Sequence, residues 1–183
     1  FYAPGLGGVF RHEVDGYRFE QMAYLPDTQS SYAYAVSADG RWFVYAQRYV
    51  DWRGQGLAEP PVYERVAVCN LEEATGRHVE LGAEPLCVAV SPTGERAAVG
   101  CDNGEVFLIA LNGEPAVVCT EEFGHPVRFV GFTPCGGELL FACGERVFSA
   151  RLDEEPPGLN PRATHPAAAE IVDGVAAPDG SLV

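Results

Sequence analysis

The sequence has few basic residues, and all of them are arginines. Twelve arginines stand against 26 acidic residues, lysine is absent, and the formal net charge is −14 at pH 7. A protein that binds a nucleic-acid backbone needs a basic surface to release the counterions of the phosphates, and an anionic membrane attracts the same charge. The composition therefore argues against nucleic acid and membrane as partners. The acidity serves solubility, or it attracts a basic protein or peptide partner.

The sequence also lacks long apolar runs and a recognisable leader. No apolar run reaches the roughly 18 residues that a membrane-spanning helix needs. The first ten residues include apolar ones, but they have neither the basic region nor the cleavage site of a signal peptide. Since the chain starts at Phe1 and Met22 is its only methionine, we expect it to be a piece of a longer polypeptide.

Cysteine pairs at metal-binding or redox spacing are missing. None of the six cysteines forms a Cys-x-x-Cys pair, which argues against zinc sites and thioredoxin-like sites. Five cysteines lie within or at the ends of apolar runs, where a free thiol behaves as a small hydrophobic side chain: Cys69, Cys87, Cys101, Cys119 and Cys143. We therefore favour free thiols and a reducing, cytoplasmic location over disulfides.

The common catalytic and nucleotide-binding motifs are absent as well. The chain has no Gly-x-Ser-x-Gly elbow, no Walker sequence and no glycine-rich turn between a strand and a helix. The run from Asp102 to Glu105 lacks the further oxygen ligands of a calcium loop, so we interpret it as a hairpin turn. Acidic pairs lie among polar loop residues and predict solvated surface rather than acid–base chemistry. We expect no catalytic residue, no cofactor and no metal ion.

What the sequence does contain is a repeated unit. A short apolar strand, a small turn ending in glycine and a second apolar strand recur in Tyr34–Ala46, Val88–Gly100, Val130–Ala142 and Gly174–Val183. The residues before the shared glycine are 54, 42 and 44 positions apart. Periods of about 40–45 residues with four short strands each are typical of β-propeller blades. The longest spacing fits one blade that carries an insertion.

The second unit shows the predicted strands most clearly. We predict them at Leu86–Val90, Arg96–Cys101, Glu105–Leu111 and Ala116–Thr120, separated by turns that contain proline, asparagine and glycine. The apolar runs are nearly continuous, which indicates strands covered on both faces, as in blades packed around an axis. Helix patterns are almost absent. The best one, Thr164–Val172, is better interpreted as the fourth strand of the third unit and the connection beyond it.

These units resemble the WD-repeat β-propeller family. The family unit has Gly-His before its first strand, a Ser-Pro-Asp-Gly turn after it, an Asp-x-Gly turn after the second strand and Trp-Asp ending the third. The terminal Trp-Asp is missing here, where Ile109-Ala110 and Ala150-Arg151 stand instead. The resemblance covers roughly residues 34–183. The matching repeat positions are Ser37, Asp39, Gly40, Ser91, Pro92, Gly94, Asp102, Gly104, His125, Thr133, Pro134, Gly136, Pro178, Asp179 and Gly180.

The resemblance implies an all-β propeller made of four-stranded antiparallel blades, about three full blades plus the start of a fourth. In the family, a His, an Asp, a hydroxyl residue and a Trp form a buried network within one blade. Because His125 and Asp102 fall in different units, we expect no intact network here and a structural role for His125 rather than a catalytic one. The family usually closes a ring of seven blades. We therefore expect part of a larger ring, with open blade edges that can pair with another chain.

The predicted organisation has a lead-in followed by the blades. Residues 1–33 form the lead-in, flexible at "GLGGVF", with Tyr17–Asp27 as a possible outer strand of a neighbouring blade. Residues 34–183 form blades that start near 34, 86, 127 and 172, and residues 49–64 form a loop insertion. Because exposed Trp, Tyr and Arg are enriched in interface hot spots, four residues of this insertion are candidates for partner binding: Tyr49, Trp52, Arg53 and Tyr63. Alternatively, the loop folds its aromatic side chains onto the blade.

The resemblance implies a non-catalytic scaffold that presents loops to protein partners. The alternative is part of an enzymatic or substrate-gating propeller, as in lactonases or peptidases, since these families also carry Ser-Pro-Asp-Gly turns. A third alternative is a sensor domain attached to a kinase or protease. Fold alone does not decide among them.

Overall fold

The chain folds as a series of short antiparallel strands joined by tight turns. The computed structural model describes residues 2–5, 8–13, 18–24, 31–47, 64–153, 158–166 and 171. Within these residues there are fifteen strands in four sheets. The same residues contain no helix that is long and apolar enough to cross a membrane.

The first sheet lies in the segment that the sequence predicted as a lead-in. Strands β1 (Tyr2–Gly5), β2 (Gly8–Glu13) and β3 (Arg18–Tyr24) pair in the order β1-β2-β3. This corrects the flexible lead-in predicted at "GLGGVF", since Gly8, Val9 and Phe10 belong to β2. The sequence pattern missed β1 and β2, whereas β3 lies within the segment Tyr17–Asp27 that was predicted as an outer strand.

The remaining strands form three four-stranded blades, each in chain order, and this confirms the predicted fold class. Blade 1 consists of β4 (Ser31–Val36), β5 (Trp42–Gln47), β6 (Arg65–Asn70) and β7 (Thr75–Glu80). Blade 2 consists of β8 (Pro85–Val90), β9 (Arg96–Cys101), β10 (Glu105–Ala110) and β11 (Ala116–Glu122). Blade 3 consists of β12 (Val127–Phe132), β13 (Glu138–Cys143), β14 (Arg146–Arg151) and β15 (Pro161–Pro166).

Apolar side chains cover both faces of the inner strands, as the continuous apolar runs predicted. In β9, Ala97, Val99 and Cys101 face blade 1, and they pack with Trp42, Val44 and Val68. The alternate residues of blade 2, such as Ala98 and Leu108, face blade 3 and pack with Val130, Leu139 and Phe141. Because side chains alternate across a strand, one blade contributes to two inter-blade cores at once.

The antiparallel order places the connections of every blade at two opposite ends. We call one end the lower face; it carries the turns at 37–41, 71–74, 91–95, 111–115 and 133–137. The other end, the upper face, carries residues 81–84, 102–104, 123–126 and 144–145. The predicted insertion, residues 49–64, lies between β5 and β6, so Gln47 at the end of β5 and Glu64, the last residue of the insertion, lie at the upper face.

Candidate functional site

The predicted repeat positions of the lower face form the same turn in each blade. Gly40, Gly94 and Gly136 have φ values of 72°, 70° and 72°, a region that favours glycine. The side-chain hydroxyls of Ser37, Ser91 and Thr133 accept backbone N–H groups at 2.8, 3.1 and 3.1 Å. A hydroxyl is therefore needed at these positions to hold the turn to the next strand.

The residue before each turn glycine differs among the blades but contacts the same hydroxyl. Ser37 donates to the Asp39 carboxylate at 2.5 Å, Thr93 lies 3.3 Å from the Ser91 hydroxyl, and the Cys135 sulfur lies 3.5 Å from Thr133. The bond from Ser37, and then the one from the Arg41 backbone, lower the pKa of Asp39. These turns are structural, and Pro92 and Pro134 complete two of them.

Cys135 is the thiol that we expect to react first with an alkylating or disulfide reagent. It is exposed, and hydrogen bonds from the Thr133 side chain and then the Gly137 backbone lower its pKa. Burial raises the pKa of Cys69 to about 12 and also raises that of Cys101. Because the thiolate is the nucleophile, iodoacetamide at pH 7 should modify Cys135 at least ~100-fold faster than these two thiols. Mass spectrometry of the labelled peptides measures the rates.

The control for this labelling experiment is Cys135→Ser, which should abolish the fast phase. In urea, Cys69 and Cys101 should react as fast as an ordinary free thiol. Rapid native-state labelling of Cys69 or Cys101 would contradict the burial described here.

The upper face of blade 2 brings Asp102 and Gly104 against the neighbouring connections. The Asp102 carboxylate accepts the Glu84 N–H at 3.2 Å, and the Asp102 N–H donates to the Glu84 carbonyl at 3.0 Å. Gly104 has a φ of 92°, and its carbonyl accepts the Phe123 N–H at 2.9 Å. The predicted hairpin turn thus also joins blade 2 to the connection that enters blade 3. No cluster of metal-binding side chains occurs among the residues that the structure describes.

A pocket of about 640 Å³ opens on the upper face of blade 3, beside the connection that enters this blade from blade 2. The connection from β11 to β12 supplies Phe123, His125 and Pro126, and the β13–β14 hairpin supplies residues 143–146 and Phe148. The size lies within the range of roughly 300–1,000 Å³ that is typical of ligand sites. The pocket exists because a turn from one blade and a connection from its neighbour meet at one end of the strands.

Phe123 and Phe148 line the floor of this pocket, and the buried Phe141 beneath them anchors the floor to the core. Phe123 lies 4.6 Å from Phe141 and 5.3 Å from Phe148, measured between ring centroids, and Phe141 stacks on Phe148 at 5.1 Å. Phe141 is fully buried. The Cys143 thiol donates to the His125 carbonyl at 2.9 Å and so ties the connection to β13. The floor is therefore rigid and apolar.

Charged and polar side chains that have no partner among the described residues surround the floor. Glu145, Arg146 and His125 are exposed and line the opening. No ion pair or side-chain hydrogen bond of these three is found in the described part of the chain. Glu121 lies two residues before Phe123 and so projects to the same side of the chain. The pocket thus offers an apolar surface with free charges of both signs at its edge.

The sequence identified only part of this site. It singled out His125, but as a structural blade residue, whereas the structure places this residue exposed at the pocket. It gave no indication of Phe123, Glu145, Arg146 or Phe148, because the connection that holds Phe123 meets the β13–β14 hairpin only in the folded chain. Outside the described residues lie Tyr49, Trp52, Arg53 and Tyr63, and also Pro178, Asp179 and Gly180.

Comparison with known proteins establishes the fold. No family model and no curated protein sequence matches the chain. Hydrazine synthase from Kuenenia stuttgartiensis matches with a TM-score of 0.69 and 16% identity, over 95% of this chain and 47% of that one. The β-propeller domain of Cps50 (Swd1) from Myceliophteria thermophila matches with a TM-score of 0.72 and 13% identity, over 98% and 55%.

Because the sequence identity to both structures is low, these similarities show the fold alone. The chain is therefore a β-propeller segment, and its membership of the WD-repeat family stays a prediction. The chain spans about half the length of each of the two solved chains that it matches.

Proposed function

We propose that this propeller segment is a non-catalytic protein-interaction scaffold whose upper-face pocket receives a side chain of a protein partner. One observation carries the proposal: the pocket combines a rigid phenylalanine floor with exposed Glu145, Arg146 and His125, none of which has a described intramolecular partner. Charged groups at the edge of an apolar cavity provide orientation and specificity, while the apolar floor provides affinity.

The residue types of the pocket are those that protein interfaces use. Aromatic residues and arginine are enriched at the centres of interfaces, where they lie in pockets protected from water. Arg146 can bind a carboxylate through two parallel hydrogen bonds, and Glu145 can accept from a basic side chain. The rigid floor adds to affinity, because little side-chain freedom remains to be lost on binding.

The overall charge favours a basic partner for this face. With a net charge of −14, the protein attracts cationic proteins over long range and repels anionic ones. Glu84, Asp102, Glu105 and Glu145 lie at or beside the upper face. We therefore expect association with the partner to weaken as salt rises, since screening shortens the reach of these charges.

The test is a comparison of partners captured by three forms of the full chain. Wild type, the pocket variant Glu145→Ala/Arg146→Ala and the lower-face variant Arg41→Ala/Glu72→Ala are immobilised, and bound lysate proteins are quantified by mass spectrometry. The control removes the same two residue types from an exposed ion pair. We expect the pocket variant to capture at least ~10-fold less of the proteins that wild type and control both retain, which is the effect of removing an interface hot spot.

Two results would contradict the proposal. If wild type captures no protein above the level of bare resin, the scaffold function is wrong. If the pocket variant captures the same proteins as wild type while its melting temperature is unchanged, the pocket is not the binding site.

A further inference from the structure

We propose that the outer strand of blade 2, β11, binds an extended basic segment of a partner protein by adding it as a fifth strand. The inference goes beyond the pocket and does not depend on it, because β11 lies along the outer edge of the blade. Strand addition joins two chains through backbone hydrogen bonds, and side chains at alternate positions set specificity. Four observations on β11 support it: exposed apolar residues, an open backbone edge, unpaired carboxylates and the contrast with the other outer strands.

Exposed valines distinguish β11 from the rest of the described surface. Among the large apolar side chains that the structure describes, only Tyr34, Val117 and Val118 are exposed, at 56%, 38% and 44%. Two of the three are thus adjacent in one seven-residue strand. Single exposed apolar residues are common, but adjacent ones on an edge strand form a surface to which another strand can pair.

The other two outer strands are protected against strand addition. In β7, the exposed side chains are polar or charged: Thr75, Arg77 and Glu80. β15 begins at Pro161 and ends at Pro166, and proline has no N–H to donate to an added strand. Charged residues and proline on edges are the usual means by which proteins prevent edge pairing. β11 has no proline, and its only charged side chains, Glu121 and Glu122, are of one sign, so they oppose the addition of an acidic strand but not of a basic one.

Among the residues that the structure describes, the backbone of β11 is paired on one side only. Its sheet has the order β11-β10-β9-β8, so β10 is its one neighbour in the sheet. Apart from this pairing with β10, the backbone of Ala116–Glu122 makes no hydrogen bond to another described segment, and the Leu159 backbone bonds only the side chain of Cys119. The pairing with β10 changes register between Leu108 and Ile109, so Val118 is an extra, bulged residue. Cys119 to Glu122 pair regularly with β10. These four residues supply a regular edge, and the bulge keeps both valines at the surface.

The charge of β11 indicates which kind of strand can be added to it. Glu121 and Glu122 form no ion pair among the described residues, and Glu122 lies directly across from Glu105. Carboxylates placed opposite each other repel, and an arginine or lysine on an added strand would relieve this repulsion. A second copy of this chain is a poor occupant because it has the same net charge of −14. In antiparallel pairing of two β11 strands centred on Cys119, Glu121 of one copy would also lie opposite Val117 of the other. The best match is an antiparallel strand, basic near Glu121 and apolar near Val117.

The experiment measures the affinity of labelled eight-residue peptides for the full chain by fluorescence anisotropy. The test peptide has two arginines in its N-terminal half and two valines in its C-terminal half, separated by threonines, to suit antiparallel addition. The same peptide with glutamates in place of arginines, and one with every backbone amide methylated, serve as ligand controls. We expect measurable binding of the test peptide alone, together with slowed hydrogen exchange in residues 116–122.

Variants of the protein test whether the peptide binds at β11. We expect Glu121→Gln/Glu122→Gln to weaken the test peptide about tenfold, since each exposed charge pair contributes a modest amount. The matched control, Glu73→Gln/Glu80→Gln beside β7, should leave affinity unchanged. Equal binding of the methylated or glutamate peptide, no binding of the test peptide, or equal loss in the β7 variant would overturn the proposal. Self-association of wild type that the β11 variant lacks would assign the edge to a second copy instead, and this also overturns it.

Discussion

Gly104→Ala is expected to lower the free energy of unfolding by about 3–4 kcal/mol, because two separate costs add. The first is backbone strain, since the φ of Gly104 is 92°. The second is steric: a Cβ here would lie 2.9 Å from the backbone nitrogens of Gly124 and His125 and 2.9 Å from the His125 carbonyl. Backbone atoms cannot rotate away, so the connection into blade 3 must move. Urea denaturation followed by far-ultraviolet circular dichroism measures the change.

Gly113→Ala is the matched control for this prediction. Gly113 lies in the next turn of the same blade with a φ of 83°, and a Cβ there would meet no atom within 4 Å. It should therefore cost only the strain of the left-handed conformation, about 1–2 kcal/mol. The difference between the two variants isolates the contact between blade 2 and the connection into blade 3. Equal losses in both variants would show that this connection moves aside freely.

Gly100→Ala is expected to cost about 2–3 kcal/mol through crowding between blades 2 and 3. Gly100 carries no unusual φ, yet a Cβ would lie 2.5 Å from Val127 Cγ1 and 2.7 Å from the Cys87 sulfur. Cys87 also lies 3.4 Å from the Val127 carbonyl, so neither side chain has room to withdraw. The effect appears as a lower urea midpoint with an unchanged slope, because the fold itself is retained.

Gly137→Ala provides the comparison for Gly100→Ala. Gly137 is not held at positive φ, and a Cβ there would meet only the Cys135 sulfur, at 3.6 Å. Its stability should change by no more than about 0.5 kcal/mol. If Gly100→Ala proves as harmless as Gly137→Ala, the two blades are less tightly packed than the distances indicate.

The architecture was predictable because each blade is built from local rules. Gly40, Gly94 and Gly136 mark the same turn three times, and the serine or threonine that starts each turn makes the same hydrogen bond. Short spacing between such turns leaves room only for hairpins, and hairpins repeated every 40 or so residues stack as blades. β1 and β2 escaped prediction because they follow no copy of this turn, while β3 lies within the outer strand predicted at Tyr17–Asp27.

The pocket was not predictable to the same degree. Phe123 and Phe148 look like ordinary members of apolar runs, and Glu145 and Arg146 like an ordinary hairpin turn. Nothing in their spacing shows that the ring of Phe123 comes to lie 5.3 Å from that of Phe148. Phe123 lies in the connection between blades 2 and 3, and a repeat pattern describes the strands and turns of a unit rather than how a connection packs against them.

By itself, the sequence determined the strands, the turns and the blade period, since hydrophobic pattern and turn chemistry act over a few residues. It also determined the acidic charge and hence the kind of partner that long-range attraction favours. Only the tertiary structure brought the pocket residues together at the top of blade 3 and left the valines of β11 exposed, the two places where we propose that such a partner binds. Burial is the physical reason, because an apolar residue becomes core or exposed surface only once its neighbours in space are in place.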